Sequence, residues 1–411
     1  MFATLINLRG NPRACVYTEP LWGIPFSLYT PYATLFMFSL GVRDAQIGLL
    51  TSIGMVLQVF TSLWGGVASD KMGRKRTTFI FDVLAWSVPC LLWAFSQNFW
   101  WFLIAAIFNS MDKITHNSWN CLLVEDAEPN KLVDIYTWVT VSGLLAVFFA
   151  PISGVLVRNF SLIPVVRILY FFSFIFMTLK FVVLNRMATE TRQGLSRMEE
   201  TKNKSSWQML KEYKGLLLEI LASKPALAVL LLMFITNTTS MVITTFFPIY
   251  VTKNLLIPEE WIAYFPMARA AIMIFFILWL QGAINRLPFQ PVMIAGVIFY
   301  IAGLVALLLT PSGSLGVLAI YVVCESIGHA LLFPRKDSIL ILFVDPQKRA
   351  RVQGLLLVLM IALTAPFGWL TGLMSEANRV LPFIFSIALF IICGVFIIFS
   401  KEMQKLDSKS S

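Results

Sequence analysis

Only two histidines occur in the chain, and each lies one helical turn after an acidic residue. Asp112 precedes His116, and Glu325 precedes His329. Residues at positions i and i+4 share a helix face, so each carboxylate could accept a hydrogen bond from its histidine, and such a pair can hold or release a proton. The same spacing also allows each pair to satisfy itself and fix helix packing. A divalent-cation site from two acids and two imidazoles is chemically plausible, but no dense ligand motif supports it, and we expect neither a metal nor a cofactor.

The composition predicts the elements that must position these residues. Of the 411 residues, 58% are hydrophobic and 13% are charged, whereas a soluble globular domain carries about 25% charged residues. The apolar runs are long and unbroken, unlike the alternating segments of a transmembrane β-barrel. We therefore predict an all-α integral protein of the cell membrane with twelve transmembrane helices in two six-helix repeats. The predicted spans run over residues 20–40, 46–68, 77–96, 98–124, 132–157, 162–184, 226–251, 260–283, 289–309, 315–343, 350–375 and 380–400.

The distribution of lysine and arginine predicts the orientation in the bilayer. A net charge of +10 would suggest nucleic-acid binding in a soluble protein, but in a membrane protein an excess of Lys and Arg reports orientation. Most of these residues lie in connections that a cytoplasmic start would place inside, whereas the opposite connections hold only Arg43, Arg158, Lys253 and Arg379. We expect cytoplasmic termini, no signal peptide, no nucleic-acid partner and a monomer in the lipid bilayer.

One long polar stretch separates six predicted spans from the next six. We predict an N-terminal six-helix bundle over 1–184, a cytoplasmic linker over 185–224 and a C-terminal six-helix bundle over 225–411. The first part of the linker is rich in charge and is expected to be mobile. The second part predicts an amphipathic helix at the cytoplasmic interface, because apolar residues recur at helical spacing. These residues are Trp207, Leu210, Leu217, Ile220 and Leu221.

The two halves of the sequence are related by weak matches at a nearly constant offset. Asp44 corresponds to Glu259, and Ala150-Pro151 corresponds to Ala365-Pro366. Each match is weak, but their order makes coincidence improbable. Such internal repeats are typical of transporters in which two bundles rock around a site near the midplane.

Ionisable residues inside the predicted spans are candidates for contact with protons or substrate. Each costs about 2.5–3.5 kcal/mol on insertion scales, so such residues usually face a cavity or a partner. The deepest ones are Asp112, Lys113, His116, Arg269, Glu325 and His329. Asp82, Arg167 and Lys180 lie closer to the predicted helix ends, where long side chains reach the interface by snorkelling.

The loop between the second and third predicted spans has a distinct pattern of glycine and charge. Glycine allows the backbone to turn or approach closely, and the basic cluster holds the loop inside. Asp70 could pair with a neighbouring cation or cap the positive N-terminus of the span that starts near Arg351. The residues of the pattern are Gly66, Asp70, Lys71, Gly73, Arg74 and Lys75.

This loop resembles the signature G-x-x-x-D-[RK]-x-G-R-[RK] of the major facilitator superfamily, and every specified position is met. The resemblance implies alternating access, a cavity lined chiefly by spans 1, 4, 7 and 10, and a loop that acts as a latch on the cytoplasmic side. Both acid–histidine pairs would then lie on cavity-lining helices, together with the polar stretch 237–240 and with Tyr29 and Tyr32.

A second segment bears on the direction of transport. Ala150-Pro151-Ile152-Ser153-Gly154-Val155 is similar to the Gly-Pro-x-x-Gly-Gly end of the signature of drug and metabolite antiporters, which slightly favours export. Two of the named residues of that signature are absent, and the alternative is a proline kink of the kind that membrane helices tolerate.

The leading prediction is a secondary active transporter that moves a small organic solute and is coupled to protons. Uptake of a sugar-like or other polar metabolite is the alternative within transport, and a transporter-like sensor without flux is the alternative of another class. The sequence has no phosphate-binding G-x-x-x-x-G-K-[ST] loop, which argues against direct ATP drive. A membrane enzyme would need an interfacial nucleophile or metal cluster, and the expected groupings are missing, so we predict that the chain is not an enzyme.

Overall fold

The computed structural model describes residues 5–284, 286–343 and 349–400, and every regular element in these ranges is a helix. Within them, ten helical segments are long and apolar enough to cross a membrane. These segments are Asp44–Met72, Arg74–Phe95, Pro129–Phe160, Leu162–Met187, Lys224–Lys253, Glu259–Leu280, Phe289–Leu308, Leu315–Ile339, Val352–Ala377 and Leu381–Phe399. The other helices of seven or more residues are Gly10–Thr18, Pro20–Tyr29, Ala33–Ser39, Phe99–Asn109, Asp112–Val124, Arg192–Thr201 and Ser206–Ala222.

The first predicted span, 20–40, is helical but interrupted. A short 3-10 turn, Thr30–Tyr32, separates the helix Pro20–Tyr29 from Ala33–Ser39. Pro31 lies inside this turn, and proline cannot donate the backbone hydrogen bond that a continuous α-helix requires. The helix therefore changes its hydrogen-bonding pattern at this point.

The fourth predicted span, 98–124, is also divided in two. Phe99–Asn109 ends before Ser110, and Asp112–Val124 begins two residues later. The interruption exposes a backbone carbonyl, and that of Ser110 accepts a hydrogen bond from Thr61 Oγ1 at 2.7 Å. The neighbouring helix thus satisfies a polar group that would be costly to leave unpaired.

The segment Pro129–Phe160 is interrupted just before the residues similar to an antiporter signature. Phe148 and Phe149 separate the helix Leu132–Val147 from the segment that begins at Ala150. Pro151 lies in the first turn of the second helix, where its missing N–H group has no intrahelical partner to lose. This arrangement agrees with the proline kink that the sequence offered as the alternative.

The described chain forms two compact units. The first comprises residues up to Val42 together with Ile53–Gly215, and the second comprises Arg43–Ser52 together with the described residues from Leu216 onward. The helix Asp44–Met72 therefore begins in the second unit and continues in the first. The predicted domain boundaries at 184 and 225 stay a prediction.

The first part of the predicted linker is more ordered than expected. It contains the helix Arg192–Thr201, whose start is capped by Thr191. The Oγ1 atom of Thr191 accepts a hydrogen bond from the backbone N–H of Gly194 at 2.9 Å. The prediction of an irregular, mobile segment is therefore wrong for Arg192–Thr201, where Arg197 forms an ion pair with the half-buried Asp70.

The second part of the linker forms the helix Ser206–Ala222, at the position where the spacing predicts one. Ile220 is buried, whereas Trp207 and Leu221 are exposed. The side chain of Leu210 lies outside the described residues. The location of this helix at a membrane interface stays a prediction.

Aromatic side chains fill part of the core of the first unit. The ring of Tyr170 lies 4.8 Å from that of Tyr29, 5.3 Å from that of Trp93 and 5.6 Å from that of Phe36. Tyr29 is 4% exposed and Tyr32 is fully buried. The two tyrosines expected to line a cavity therefore belong to this core, because large rings stabilise a fold most when they are packed against each other.

Glycines bring two helices of the second unit close together. A Cβ atom added at Gly303 would lie 3.2 Å from the backbone nitrogen of Glu325, and one added at Gly328 would lie 2.9 Å from the carbonyl oxygen of Gly296. Without side chains at these positions, the helix Phe289–Leu308 packs directly against its successor. The contact holds the backbone around Glu325 in place.

Candidate functional site

The loop with the signature forms a tight turn that a distant glutamate stabilises. One helix ends at Met72, and Gly73 has a φ of +85°, a conformation that favours glycine. The carboxylate of Glu190 accepts hydrogen bonds from the backbone N–H groups of Arg74 at 2.8 Å and Lys75 at 3.0 Å. It thereby satisfies two free donors and places a negative charge at the positive end of the next helix.

Arg74 is buried although it belongs to a basic loop, and its side chain is only 5% exposed. Its Nη1 atom donates hydrogen bonds to Asp70 Oδ1 at 2.7 Å and to Ser69 Oγ at 3.1 Å. Its Nε atom donates to Glu125 Oε1 at 3.1 Å. The two carboxylates stabilise the buried cation. The sequence analysis did not identify Glu125, because its distance along the chain conceals the contact.

Asp70 is shared between two arginines. Its Oδ2 atom accepts a hydrogen bond from Arg197 Nη2 at 3.0 Å, and its backbone oxygen accepts one from Thr201 Oγ1 at 3.1 Å. Asp70 thus pairs with neighbouring cations, one of the two options that the sequence left open. The side chain of Arg351, which the other option invoked, lies outside the described residues.

The linker helix carries its own charge network. Glu200 accepts hydrogen bonds from Ser196 Oγ at 3.0 Å and Arg197 Nη1 at 2.9 Å. The hydrogen bond from Ser196, followed by that from Arg197, lowers the pKa of Glu200. The hydrogen bond to Asp70 raises the pKa of Arg197. Both groups therefore stay charged at neutral pH.

The other signature residues, Gly66, Lys71 and Lys75, lie within helices. Gly66 lies inside the helix Asp44–Met72 and is half-buried, so the chain does not turn there. The close approach to another helix occurs at its neighbour Gly65, where an added Cβ atom would lie 3.1 Å from Ile114 Cα. The side chains of Lys71 and Lys75 are half-buried near the helix ends.

The predicted hydrogen bond between Asp112 and His116 is not formed. Asp112 Oδ2 accepts one from Lys113 Nζ at 3.0 Å, and Oδ1 is buried without a partner among the described side chains. His116 Nδ1 instead lies 3.3 Å from Asn120 Nδ2. A full cation is a stronger partner for a carboxylate than a neutral imidazole, and the helix that begins at Asp112 favours its negative charge.

The predicted hydrogen bond between Glu325 and His329 is not formed either. Glu325 is 3% exposed, and its Oε2 atom lies 2.8 Å from Arg269 Nε. His329 stacks on Phe333 with the ring centroids 3.9 Å apart, and its Nδ1 atom is buried without a hydrogen-bond partner in the part of the chain that the structure describes. The sequence singled out both Arg269 and Glu325 but did not pair them. Their opposite charges in a low-dielectric region were the available signal.

Comparison with protein families agrees with the resemblance that the loop signature carries. A family model described as Major Facilitator Superfamily matches residues 22–356. The chain belongs to the major facilitator superfamily. It is accordingly a multi-pass membrane transporter and not an enzyme.

Two curated relatives within this superfamily are named for drug resistance. The multidrug resistance protein MdtG of Rahnella sp. (strain Y9602) is 31% identical over 173 residues, which cover 39% of this chain and 41% of the relative. The multi-drug resistance efflux pump PmrA of Streptococcus pneumoniae serotype 4 (strain ATCC BAA-334 / TIGR4) is 30% identical over 113 residues, which cover 26% of this chain and 28% of the relative. The chain thus spans about two fifths or less of the length of these relatives.

Solved structures share the fold over nearly the whole chain. A nucleoside transporter, NupG, has a TM-score of 0.70 at 14% identity and covers 95% of this chain and 98% of its own. A peptide transporter, POT, in complex with sulfate has a TM-score of 0.71 at 13% identity and covers 97% of this chain and 95% of its own. At such low identity these similarities establish the superfamily fold alone.

Three charged residues of this superfamily member do not snorkel as predicted. Asp82 is 6% exposed and Lys180 is 5% exposed, and Lys180 Nζ donates a hydrogen bond to Glu19 Oε2 at 3.0 Å. Arg167 Nη2 donates to the backbone oxygen of Ser96 at 2.8 Å. Each side chain has a hydrogen-bond partner inside the first unit and does not need to reach the membrane–water interface. The sequence analysis missed Glu19 because it lies at the edge of a predicted span.

The second unit of this superfamily member contains a buried acid that the sequence marked only as part of the repeat. Asp44 is 3% exposed, and its Oδ2 atom accepts hydrogen bonds from Ser375 Oγ at 2.6 Å and Arg379 Nε at 3.0 Å. Nearby, an added Cβ atom at Gly372 would lie 2.9 Å from the carbonyl oxygen of Asp44. The start of this helix is therefore held by both charge and close backbone contact.

Uncharged polar residues of the predicted seventh span also have partners in the second unit. Asn237 Nδ2 donates a hydrogen bond to Thr364 Oγ1 at 3.2 Å, and Thr238 Oγ1 lies 3.4 Å from the same atom. Thr238 and Thr239 are buried. The threonines of this stretch thus contribute mainly to helix packing.

Proposed function

We propose that this transporter exports small amphipathic organic solutes in exchange for protons. The names of the two curated relatives support export of drug-like compounds. The buried carboxylate of Glu325, paired with Arg269, supports proton coupling. Uptake of a polar metabolite and a sensor without flux are the alternatives that the test must separate.

The ion pair of Arg269 and Glu325 is the observation that carries the proposal. An ionised carboxylate needs a compensating charge in a low-dielectric region, and here Arg269 provides it at 2.8 Å. Protonation makes Glu325 neutral, and the attraction between the two side chains is then lost. The pair therefore has two charge states, and a change in hydration around Glu325 can move it from one to the other. A proton taken up on one side of the membrane could thus be released on the other.

Asp112 is proposed as a second participant. One of its carboxylate oxygens is buried without a partner among the described residues, and Lys113 pairs with the other. A bound cationic solute or a proton would supply the missing partner. His116, which is exposed one turn later, and His329, which is half-buried against Phe333, are proposed as nearby polar contacts instead of hydrogen-bonded partners of the acids.

The proposed topology has twelve spans, with both termini and the linker in the cytoplasm. The ten long helical segments and the two divided helices over 20–40 and 98–124 support the count, since interrupted helices also occur in transporters. The Lys and Arg distribution supports the orientation. In a background without native cysteines, a cysteine at position 253 should be labelled from outside, and one at position 204 should not. The reverse pattern would contradict this topology.

Transport is best tested in proteoliposomes with an acidic lumen and a fluorescent lipophilic cation such as ethidium as the probe. The wild type should accumulate the probe several-fold, and a protonophore should abolish the accumulation. Glu325→Gln should lose gradient-driven accumulation but keep counterflow exchange, because it binds solute but cannot ionise. Glu128→Gln is the matched control, since Glu128 is 63% exposed and its loss should leave transport unchanged.

Three results would contradict the proposal. Accumulation by Glu325→Gln with a wild-type dependence on the gradient would show that the ion pair is structural. Accumulation of sugars or nucleosides but not of lipophilic cations would support the uptake alternative. Ligand-induced thermal stabilisation without flux of any solute would support the sensor alternative.

A further inference from the structure

Two buried carboxylates and one buried ammonium group lie together in the first unit. Lys180 Nζ donates a hydrogen bond to Glu19 Oε2 at 3.0 Å, and the two side chains are 6% and 13% exposed. Asp82 is 6% exposed, and its Oδ1 atom accepts a hydrogen bond from Thr115 Oγ1 at 2.6 Å. Asp82 interacts electrostatically with both Lys180 and Glu19. Glu19 lies between the helices Gly10–Thr18 and Pro20–Tyr29, Asp82 ends a second helical segment and Lys180 lies in a third, so tertiary packing assembles the cluster.

The surroundings of Lys180 keep its ammonium group in a fixed place. Its Nζ atom lies 5.7 Å from the ring centre of Trp22, 5.6 Å from that of Trp119 and 5.9 Å from that of Phe181. Aromatic faces attract a cation and exclude water from it. The lysine therefore stays charged and is a permanent counter-charge for the two acids.

Charge balance then determines the protonation of the cluster. With both carboxylates ionised, the cluster carries one uncompensated negative charge in a region where an isolated charge is costly. Cys15 also interacts electrostatically with Lys180, but it is uncharged as a thiol and is fully buried. One proton on either carboxyl group makes the cluster neutral.

A small cavity lies beside Asp82. A cavity of about 10 Å³ is lined by Asp82, Lys75, Thr78 and Asn185, together with apolar side chains. This volume is close to what one water molecule needs, and the lining has polar partners for it. Lys75 belongs to the loop signature, and it forms no ion pair with Asp82 within the described part of the chain, so it is not counted in the charge of the cluster.

We propose that Glu19, Asp82 and Lys180 form a one-proton site in the first unit, in which the two carboxylates share a single exchangeable proton beside the lysine. Uptake adds a proton from water to one carboxylate and changes the charge of the cluster from minus one to zero, and release returns the proton to water. The site is separate from Asp112 and from Glu325. Its use during turnover rests on the proposed proton-coupled function, whereas its existence does not.

Infrared difference spectroscopy of the purified full-length protein at neutral pH tests the site without a transport substrate. A protonated carboxyl group has a C=O band distinct from that of a carboxylate. The isosteric variants Glu19→Gln and Asp82→Asn should each lose the same single carboxyl band, because removal of either acid leaves a neutral pair that needs no proton. The double variant should lose no more than each single one. Glu128→Gln, which changes an exposed carboxylate, should leave the band unchanged.

Removal of the lysine should have the opposite effect on the carboxyl band. Lys180→Met should gain a second carboxyl band, since both acids must then be protonated to remain neutral. The band should move in D₂O, because the proposed proton exchanges with water. If Lys180→Met does not fold, the two isosteric variants still test the proposal.

The proposal is overturned if neither isosteric variant loses the band, if only one does, or if their losses add in the double variant. Wild-type gradient-driven transport by Glu325→Gln together with the expected infrared changes would contradict the proposed function and leave this site standing, so the two proposals fail separately.

Discussion

Arg197 Nη2 donates a hydrogen bond to Asp70 Oδ2 at 3.0 Å, across 127 positions of the chain. The contact ties the linker helix to the signature loop within the first unit. Asp70 also accepts from Arg74, so one carboxylate compensates two guanidinium groups. The loop and the linker therefore act as one charged network, which makes each contact testable by single substitutions.

Arg197→Gln should loosen the linker helix. The change removes the bonds to Asp70 and Glu200, and a partly exposed ion pair such as that with Asp70 contributes about 1 kcal/mol. Amide hydrogen exchange over the helix Arg192–Thr201 should accelerate roughly fivefold. Lys202→Gln removes a nearby exposed charge and serves as the control. Equal exchange rates in wild type and Arg197→Gln would show that the helix is held by other contacts.

Asp70→Asn should shift the balance between access states and reduce transport while leaving the protein folded. Arg74 and Arg197 would lose their shared counter-charge, and a contact that stabilises one state more than the other changes their populations. Cysteine accessibility from the two sides of the membrane measures the shift. Asp337→Asn, at a carboxylate that is 70% exposed, is the control. Unchanged accessibility together with unchanged transport would count against the latch.

Gly73→Ala should destabilise the signature loop. Gly73 has φ +85° and ψ 163°, a region almost restricted to glycine, and residues forced into it cost on the order of 1–3 kcal/mol. An added Cβ atom would also collide with the carboxylate of Glu190, which caps the next helix. Thermal unfolding should show a lower midpoint. Gly54→Ala is the matched control: its helical site is open, and the change should stabilise the helix by roughly 0.5–1 kcal/mol. A drop of similar size in both variants would refute the backbone argument.

Arg379→Gln should destabilise the second unit by about 1–3 kcal/mol, because it leaves the buried carboxylate of Asp44 with a weaker set of partners. The loss should be smaller when Asp44→Asn is added, since the double variant has no buried charge to compensate. Thermal unfolding of the single and double variants measures this coupling. Arg43→Gln, at an exposed neighbouring position, is the control. Additive effects of the two substitutions would mean that the ion pair contributes nothing of its own.

The local pattern of the sequence was sufficient for the signature loop but not for the charged pairs. The turn at Gly73 and the burial of Glu325 follow from glycine chemistry and from position within an apolar run. The spacing of Asp112 and His116 was misleading, because the helix that carries them begins only at Asp112 and the adjacent Lys113 binds the carboxylate. Spacing along a helix indicates which residues can come into contact. It does not show which of several possible partners a charged side chain binds.

The sequence by itself determined that this chain is a helical membrane protein of the major facilitator superfamily, because apolar run length and the loop signature are properties of contiguous residues. Only the tertiary structure decided which partner each buried charge takes. Arg197 reaches Asp70, Arg269 reaches Glu325, and Lys180 reaches Glu19. The physical reason is that a charge in a low-dielectric interior is stabilised by the opposite charge that packing brings within about 3 Å, and that distance is independent of separation along the chain.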